Sequence, residues 1–415
     1  MSDATAEQIR EELSTWLDEN WDPDLTVRDW WFRLAADGWA HPALPEAAGG
    51  RGYGGAQMAA VNATMADARV LGPPVGLGYM LAAPTIAMHG TQEQVDRLVV
   101  PILDGTVGWC QLFSEPGAGS DLAGLQARAV RDGDEWIVTG QKVWTSGGQI
   151  ADKGMLIART DPEQPKHQGI TYFAIDIDQP GIEVRPLREM TGDALFNEVF
   201  LDEARVSNDD VIGGIGNGWA VANTTLAVER ASLGGGGKQP VSVSGGPKAG
   251  RLENRSGDLV DRAPRGPDGS GGRGITIGAL IDLAKHRGVL GDPVVRQAMV
   301  RLHILGEVNR WNMLRAKAGA GRTGGEGNMA KLAMSELVRQ SREVGNLING
   351  ADGMLDRSDS SSGGIVQEMT LFSPAPSIYG GTDQVQRNII GERVLGLAKE
   401  PGPAKGTPFQ DLPQN

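Results

Sequence analysis

Apolar positions along the chain change their period twice. From residue 1 to about 107 they recur every three to four residues. Ile9, Leu13, Trp16 and Leu17 fall at i, i+4, i+7 and i+8, one stripe of an amphipathic helix. Trp30, Trp31 and Leu34 continue the pattern in a second helix that Gly38 is expected to end. Residues 41–55 (HPALPEAAGGRGYGG) read as a Pro/Gly loop, and Thr91-Gln92-Glu93-Gln94 as a capping box before Leu98, Val99 and Ile102. From about 108 the rhythm drops to two. Trp136–Thr139 and Lys142–Thr145 read as two strands joined at Gly140, followed by strands at 154–158, 170–175 and 181–184. Short strands bracketed by helical segments predict a separate β-domain rather than a βαβ sheet. Beyond Gly218 the helical period returns. A helix is expected over 275–288, stopped by Gly288, and Asp292-Pro293 should cap a long one bearing Val295, Met299, Leu302 and Leu305.

One segment breaks the alternation. Residues 234–274 hold thirteen glycines in forty-one positions, with seven Lys/Arg (Lys238, Lys248, Arg251, Arg255, Arg262, Arg265, Arg273) against four acids. Such a composition cannot bury enough apolar surface to fold by itself, so a solvated mobile loop is preferred to a basic flap over a phosphate-bearing ligand. Elsewhere the 415-residue chain is acidic, with a formal net charge of −13, which disfavours nonspecific attraction to nucleic acid or an anionic membrane. No apolar run reaches bilayer-spanning length, and the polar N-terminus shows no secretory or lipidation signal, so a cytoplasmic location is expected. The single cysteine, Cys110, excludes an internal disulfide and is expected to pack as a small hydrophobe. The five histidines show no metal-ligand spacing, and GGIGNGW at 213–219 is not a dinucleotide fingerprint.

Candidate chemistry gathers in two places. Ser114-Glu115-Pro116-Gly117-Ala118-Gly119-Ser120-Asp121 is a turn rich in hydroxyls and free backbone N–H groups. Glycine lets main chain approach a flat or charged ligand closely, and hydroxyls can donate to phosphate or ring heteroatoms. The turn suits an aromatic phosphate-bearing cofactor, or is simply a tight connection between strands. In GWAVANTTLAVERASLG, positions Ala222, Leu226, Glu229 and Leu233 fall at i, i+4, i+7 and i+11, so a carboxylate occupies an apolar stripe. Poor solvation raises a carboxylate's pKa and makes it a stronger base. The alternative is a buried Glu229 paired with an arginine such as Arg230.

SEPGAGSD and GQKVWTSGG resemble the two flavin signatures of the acyl-CoA dehydrogenase family, and the similarity extends over most of the chain. It implies an α+β fold: an N-terminal helical domain (1–107), a middle β-barrel-like domain (108–216) and a C-terminal helical bundle (217–401). The Gly-rich stretch at 234–274 looks like an insertion in that bundle, and residues 402–415 read as a tail. The resemblance implies FAD as cofactor, with Gln111, Ser114, Ser120, Trp144, Ser146, Arg296, Thr382 and Gln384 as its contacts. Trp144 matches the indole that stacks on the flavin, and Ser146 the hydroxyl near N5. The loop at 41–55 resembles the one that borders the family's acyl pocket. Most members carry a catalytic glutamate in a Tyr-Glu-Gly-Thr motif near the C-terminus, where this chain has Tyr379-Gly380-Gly381-Thr382. Others, such as the isovaleryl-CoA and long-chain enzymes, put it on the helix after the β-domain, followed by arginine. Glu229-Arg230 matches that version.

The resemblance therefore implies α,β-dehydrogenation of an acyl-CoA. Glu229 would be the base, the Gly380 backbone N–H a donor to the thioester oxygen, and Ser120, Arg230, Tyr379 and Gly380 would contact substrate. It also implies an electron-transfer flavoprotein as acceptor and a homotetramer or homodimer. Departures at Met299, Glu307 and Leu347–Ala351 keep a mixed assembly, even a non-catalytic subunit, in view, and an oxygen-using oxidase shares the fold. No metal is expected.

Overall fold

The computed structural model describes residues 4–232, 238–262, 276–319, 323–356, 359–404 and 406–413. The N-terminal region is helical, with α1 (Ala6–Asn20), α2 (Val27–Ala36), α3 (Gly55–Asp67), a π-helical turn (Gly78–Ala82) leading into α4 (Ala83–His89), α5 (Gln92–Leu98) and α6 (Val100–Leu103). Local chemistry sets the starts of these helices. Thr5 and Gln8 form a capping box on α1, Thr91 and Gln94 another on α5, and the Thr26 hydroxyl accepts from Asp29 N on α2. The expected stripe is the buried one: Ile9, Leu13 and Leu17 lie in the core with Trp30, Trp31 and Leu34.

Eight strands follow: β1 (Trp109–Leu112), β2 (Arg128–Asp132), β3 (Glu135–Lys142), β4 (Lys153–Arg159), β5 (Ile170–Asp176), β6 (Ile182–Leu187), β7 (Phe196–Ser207) and β8 (Val211–Ile212). They form one sheet ordered β6-β7-β3-β2-β4-β5-β8, with β1 running parallel to β4 off that path. Among the described residues no ladder joins β6 to β8, so the sheet is open where a barrel-like closure was expected. Two predicted strands are also one. Gly140 is no turn but sits at a register shift inside β3, where a Cβ would fall 2.5 Å from that of Ala127. The chain leaves the ladder after Lys142, so Val143–Thr145 belong to the connection that follows.

The sheet separates two cores. Its one face packs with the N-terminal helices and α7 (Gly218–Ser232), through Trp109, Met155, Ile157, Tyr172, Val221 and Ala222. Its other face gathers Cys110, Leu112, Val138, Leu156, Phe173 and Leu201. Alternation along β1 is thus strict: Trp109 on one side, Cys110 and Leu112 on the other. Burial pushes the Cys110 thiol up to about 12, which makes it an inert packing residue. The C-terminal region comprises α8 (Ser256–Arg262), α9 (Ile277–His286), α10 (Pro293–Lys317), α11 (Glu326–Asn349), α12 (Ile365–Phe372) and α13 (Asp383–Ile389). Asp292 caps α10 by accepting from Val294 N and Val295 N, with Pro293 in the first turn.

The Gly-rich segment departs from expectation. Residues 238–262 are a docked strap, not a solvated loop. Gly72 N donates to Val241 O (2.7 Å), Val75 N to Val243 O (3.0 Å) and Gly246 N to Gly105 O (2.8 Å). Leu252 enters the main core. Arg255 pairs with Asp24, Lys248 with Asp178 (2.7 Å) and Arg28 with Glu253 (2.7 Å). The segment folds by borrowing partners from the N-terminal region, which composition alone cannot reveal. Leu233, Arg265, Arg273 and the flanks of this segment lie outside the described residues. The expected tail is also partly fixed. Phe409 N donates to Gln164 O (3.0 Å), and the Phe409 ring lies 3.7 Å beneath the Arg159 guanidinium.

Candidate active site

The turn after β1 and the connection after β3 are one structural piece. The Glu115 carboxylate accepts from Gln126 N (2.6 Å), Ala127 N (3.0 Å) and the Lys142 ammonium (2.8 Å). Lys142 is fully buried and also donates to Phe113 O (3.1 Å). Burial lowers the Lys142 pKa and the Glu115 charge opposes that shift. Arg159, close by, is pulled down to about 10 by burial, again resisted by Glu115. Val143 N donates to Ser114 O (2.9 Å), which completes the link. A buried acid and lysine thus join the first motif to the second.

That platform presents an unusual surface. Trp144 has a positive φ of 60°, which a bulky side chain rarely adopts, and its indole is 62% exposed and meets Phe196 edge-on. Asn197 locks the strained residue's neighbour: Thr145 N donates to Asn197 O (3.0 Å) and Asn197 Nδ2 to Thr145 O (2.9 Å). Ser120 is exposed, Ser114 and Ser146 are half-buried, and the space beside Gly117 and Gly119 is open. An open indole face, three hydroxyls and an unobstructed glycine turn fit a flat, phosphate-bearing cofactor.

The acid lies across from β1. Helix α7 packs on β5 and on the π-helical turn; Thr225, on its buried face, shares a 3.0 Å hydrogen bond with Thr85. One turn further along the helix, Glu229 is half-buried and hydrogen-bonded to Gln111. Burial raises its pKa, with Arg230 and Gln111 opposing the shift. Arg230 is lowered by its own burial, opposed by Glu229, while the like charge of Arg393 lowers it further. The result is a poorly solvated carboxylate with its proton affinity raised.

Gln111 and Trp109 are two residues apart on β1 and so share a face. Trp109 lines a cavity of ≈ 190 Å³ together with Tyr79, Ile102, Ser146, Ile150 and Gly245. Its indole N–H is buried with no partner among the described residues. The His41 ring stacks on Tyr79 with centroids 4.2 Å apart, and its Nε2 meets Tyr79 O at 3.2 Å. Burial pushes His41 down to about 4, leaving a neutral ring behind the cavity wall. The loop at 41–55 therefore stands behind Tyr79 and supplies no residue to the cavity lining.

The remaining predicted residues lie in the C-terminal helices. Arg296 and Gln384 are exposed, on α10 and α13. The Thr382 hydroxyl caps α13 by accepting from Val385 N (3.1 Å). Tyr379 stands beside Phe372, and Gly380 takes a positive φ of 62°. Gln386 donates to Gly380 O (2.8 Å), and Asp383 is held by Lys331 (3.1 Å) and Arg339 (2.9 Å). Sequence reading missed Glu115, Lys142, Asn197 and Asp383. The available signal was a charged residue inside an otherwise apolar stretch, as in QKVW at 141–144.

An N-terminal helical region, an open sheet carrying a glycine turn and an indole, and a helical region with a buried acid at its start define a recognisable class. Family models described as acyl-CoA dehydrogenase N-terminal, middle and C-terminal domains match residues 1–106, 110–203 and 276–395, so the chain belongs to the acyl-CoA dehydrogenase family. It is 38% identical over 356 residues to acyl-CoA dehydrogenase FadE34 of Mycobacterium tuberculosis, covering 84% of this chain but 44% of that protein. The chain thus spans less than half the length of that relative. It is 36% identical over 380 residues to acyl-CoA dehydrogenase IpdE1 of the same organism, covering 91% of this chain and 89% of that one. Among solved structures, the Tcur3481-Tcur3483 steroid acyl-CoA dehydrogenase superposes with a TM-score of 0.70 at 25% identity, over 96% of this chain and 99% of that chain. Among the described residues no helix is long and apolar enough to cross a membrane.

Proposed function

We propose that this chain is an FAD-dependent acyl-CoA dehydrogenase in which Glu229 removes the α-proton of a bound thioester. The observation that carries this reading is the poorly solvated Glu229 carboxylate, opposite β1 and hydrogen-bonded to Gln111. Bound FAD supplies a hydride acceptor for the β-carbon, which makes the product a 2-enoyl-CoA. The exposed Trp144 indole, the open glycine turn and the hydroxyls of Ser114, Ser120 and Ser146 suit the cofactor, with Gln111, Arg296, Thr382 and Gln384 as further contacts. Ser120, Arg230, Tyr379 and Gly380 would contact the substrate.

The division of labour follows from chemistry. An α-proton beside a thioester is only weakly acidic, so a base of raised pKa and a donor to the carbonyl oxygen must act together. Gly380 retains its backbone N–H although the side chain usual at that position is missing, and it serves as that donor. Gln111 orients the Glu229 carboxylate, and the Arg230 charge opposes the rise in its pKa. An electron-transfer flavoprotein would take the electrons, and a homo- or hetero-oligomer would complete the cofactor site through Arg296. The steroid enzyme bears a paired name, Tcur3481-Tcur3483, which is consistent with a mixed assembly in this family.

Glu229→Gln should retain FAD, judged by its absorption spectrum, yet lose dehydrogenation by about 10²–10⁴-fold, the usual worth of a positioned base. Bleaching of the flavin by acyl-CoA thioesters checks this, and a variant within tenfold of wild type overturns it. The sign of the pH dependence is fixed too. Only the ionised carboxylate accepts a proton, so kcat/KM should rise with pH through the raised Glu229 pKa, and the glutamine variant should lack that limb.

A further inference from the structure

We propose that the strap forms one wall of the acyl pocket, and that Ser244, opposite Val75 at its mouth, selects acyl groups of about one ring in bulk. This inference rests on the dehydrogenase reading for the identity of the ligand; the wall itself rests on geometry. Four observations meet at the ≈ 190 Å³ cavity. Its lining is largely apolar, through Val75, Leu77, Ile102, Val107, Trp109 and Ile150, with the cofactor-side hydroxyl of Ser146 at its edge. Ser244 and Gly245, both from the strap, complete it. The strap is pinned there: Val75 N donates to Val243 O (3.0 Å), Gly245 N to Val75 O (3.3 Å), and the Lys248 ammonium to Ala151 O (2.9 Å). The cavity and the acid are linked through β1, although neither Gln111 nor Glu229 lines the cavity itself. Trp109 in its wall and Gln111, which holds Glu229, project from the same face of β1 about 7 Å apart along the strand.

Size then limits the occupant. A dry apolar cavity of roughly 150 Å³ takes a benzene molecule, so this one accommodates a single ring or the same carbons in branched form. CoA itself, with its charged phosphates, does not belong among these side chains; the carbon end of a thioester does. Glycines shape the wall from behind. A Cβ on Gly245 would stand 3.3 Å from Gly105 Cα and from Pro74 Cβ, and one on Gly78 would stand 3.1 Å from Trp109 Cδ1. The strap is therefore seated against main chain with little slack, and side-chain size at the mouth sets the free volume.

The test uses the FAD-loaded full-length protein and a series of alkyl-CoA thioethers, which bind without reacting, from ethyl to cyclohexylmethyl. Wild type should show Tm upshifts that grow along the series to cyclohexylmethyl. Ser244→Phe should cut the preference for cyclohexylmethyl over ethyl by about tenfold in Kd, the discrimination a methylene or two gives in an apolar pocket. Val75→Phe, across the mouth, should do the same by an independent route; both positions are exposed and tolerate a larger side chain. No chain-dependent upshift in wild type, or an unchanged preference in both variants, overturns the proposal. Chain-selective thioether binding without oxidation of any thioester would sink the dehydrogenase reading and leave the wall standing. Oxidation with an unaltered chain profile in both variants would do the reverse.

Discussion

In the N-terminal region Trp30 has no exposed surface. Its ring meets Trp21 at 4.7 Å and Trp16 at 5.6 Å, and its indole N–H donates to Leu71 O (2.6 Å). In the C-terminal helices the comparable central residue is a carboxylate, Asp383, held by Lys331 and Arg339. The first region joins more than forty buried apolar residues into one core with a face of the sheet, α7 and the strap; among the described residues the second has a cluster of seven. A cavity of ≈ 280 Å³ remains between α9, α10, α11 and α12, lined by Ile277, Leu302, Leu337 and Met369. The contrast teaches that apolar burial stabilises the half that supports the sheet, whereas polar ties hold the half that carries Gly380. Ser335 donates to Pro376 O (2.8 Å), Arg339 to Ser377 Oγ (2.6 Å) and Gln386 to Gly380 O (2.8 Å), so the turn at 376–380 hangs from the Asp383 cluster.

The strongest way to break the comparison is Trp30→Ala, which should cost about 3–5 kcal/mol of stability, as large aromatic truncations in well-packed cores do. Chemical denaturation followed by two probes, tryptophan fluorescence and far-UV dichroism, would measure it. If the two halves are separate cooperative units, only the transition of the N-terminal half with the sheet should move. A single transition moving as a whole would show that the sheet couples them.

Asp383→Asn should have a smaller effect, ~2 kcal/mol, the scale of a hydrogen bond to a charged group. Burial works against the Asp383 charge, but the bonds from Arg339 and Lys331 outweigh it and hold its pKa down at about 2. A carboxylate depressed in the folded state adds stability above its unfolded pKa, near 4, and loses it as pH falls through about 2. Acid titration of wild type should therefore weaken the C-terminal half between about pH 4 and 2, and the asparagine variant should show a flatter limb there. An identical acid limb in both would remove Asp383 from the account.

The same contrast explains what the sequence made legible. Helices α1 and α2 were readable because their burial follows from local period: Ile9, Leu13 and Leu17 need no knowledge of their partner. The carboxylate on α7 was readable for the same reason, as a charge in an apolar stripe. The strap was not, because Val241 and Val243 gain partners only where the segment at Leu71–Val75 receives them, and Leu252 only where Arg28 N donates to its carbonyl. Gly140 looked like a turn because a single sequence does not reveal that Ala127 fills the space where its Cβ would stand. Asp383 follows the capping Thr382 and so reads as an ordinary acid of a first helical turn. Only the tertiary approach of α11 makes it a hub.

The smallest effect on the folded chain, and the sharpest on its assembly, is expected on α10. Val300, Ile304, Val308, Trp311 and Leu314 are all exposed and spaced by four, four, three and three residues, so they form one stripe down the helix. A contiguous exposed apolar face of this kind marks an interaction surface. It lies on the half whose own core is small, which is where a neighbouring subunit would add the missing burial. Arg296 lies on the same helix, one turn before Val300, so a subunit seated there would come within reach of that guanidinium. Ile304→Asp should change the stability of an isolated chain by no more than about 0.5 kcal/mol, as exposed substitutions do. In an oligomer the same carboxylate would be buried without a partner and should split the assembly, since an unpaired charge at an interface costs several kcal/mol. Sedimentation of wild type and variant at matched concentration separates the cases. A smaller species for Ile304→Asp, with weakened FAD retention, places the cofactor site at that junction; equal sedimentation means α10 is not where the subunits meet.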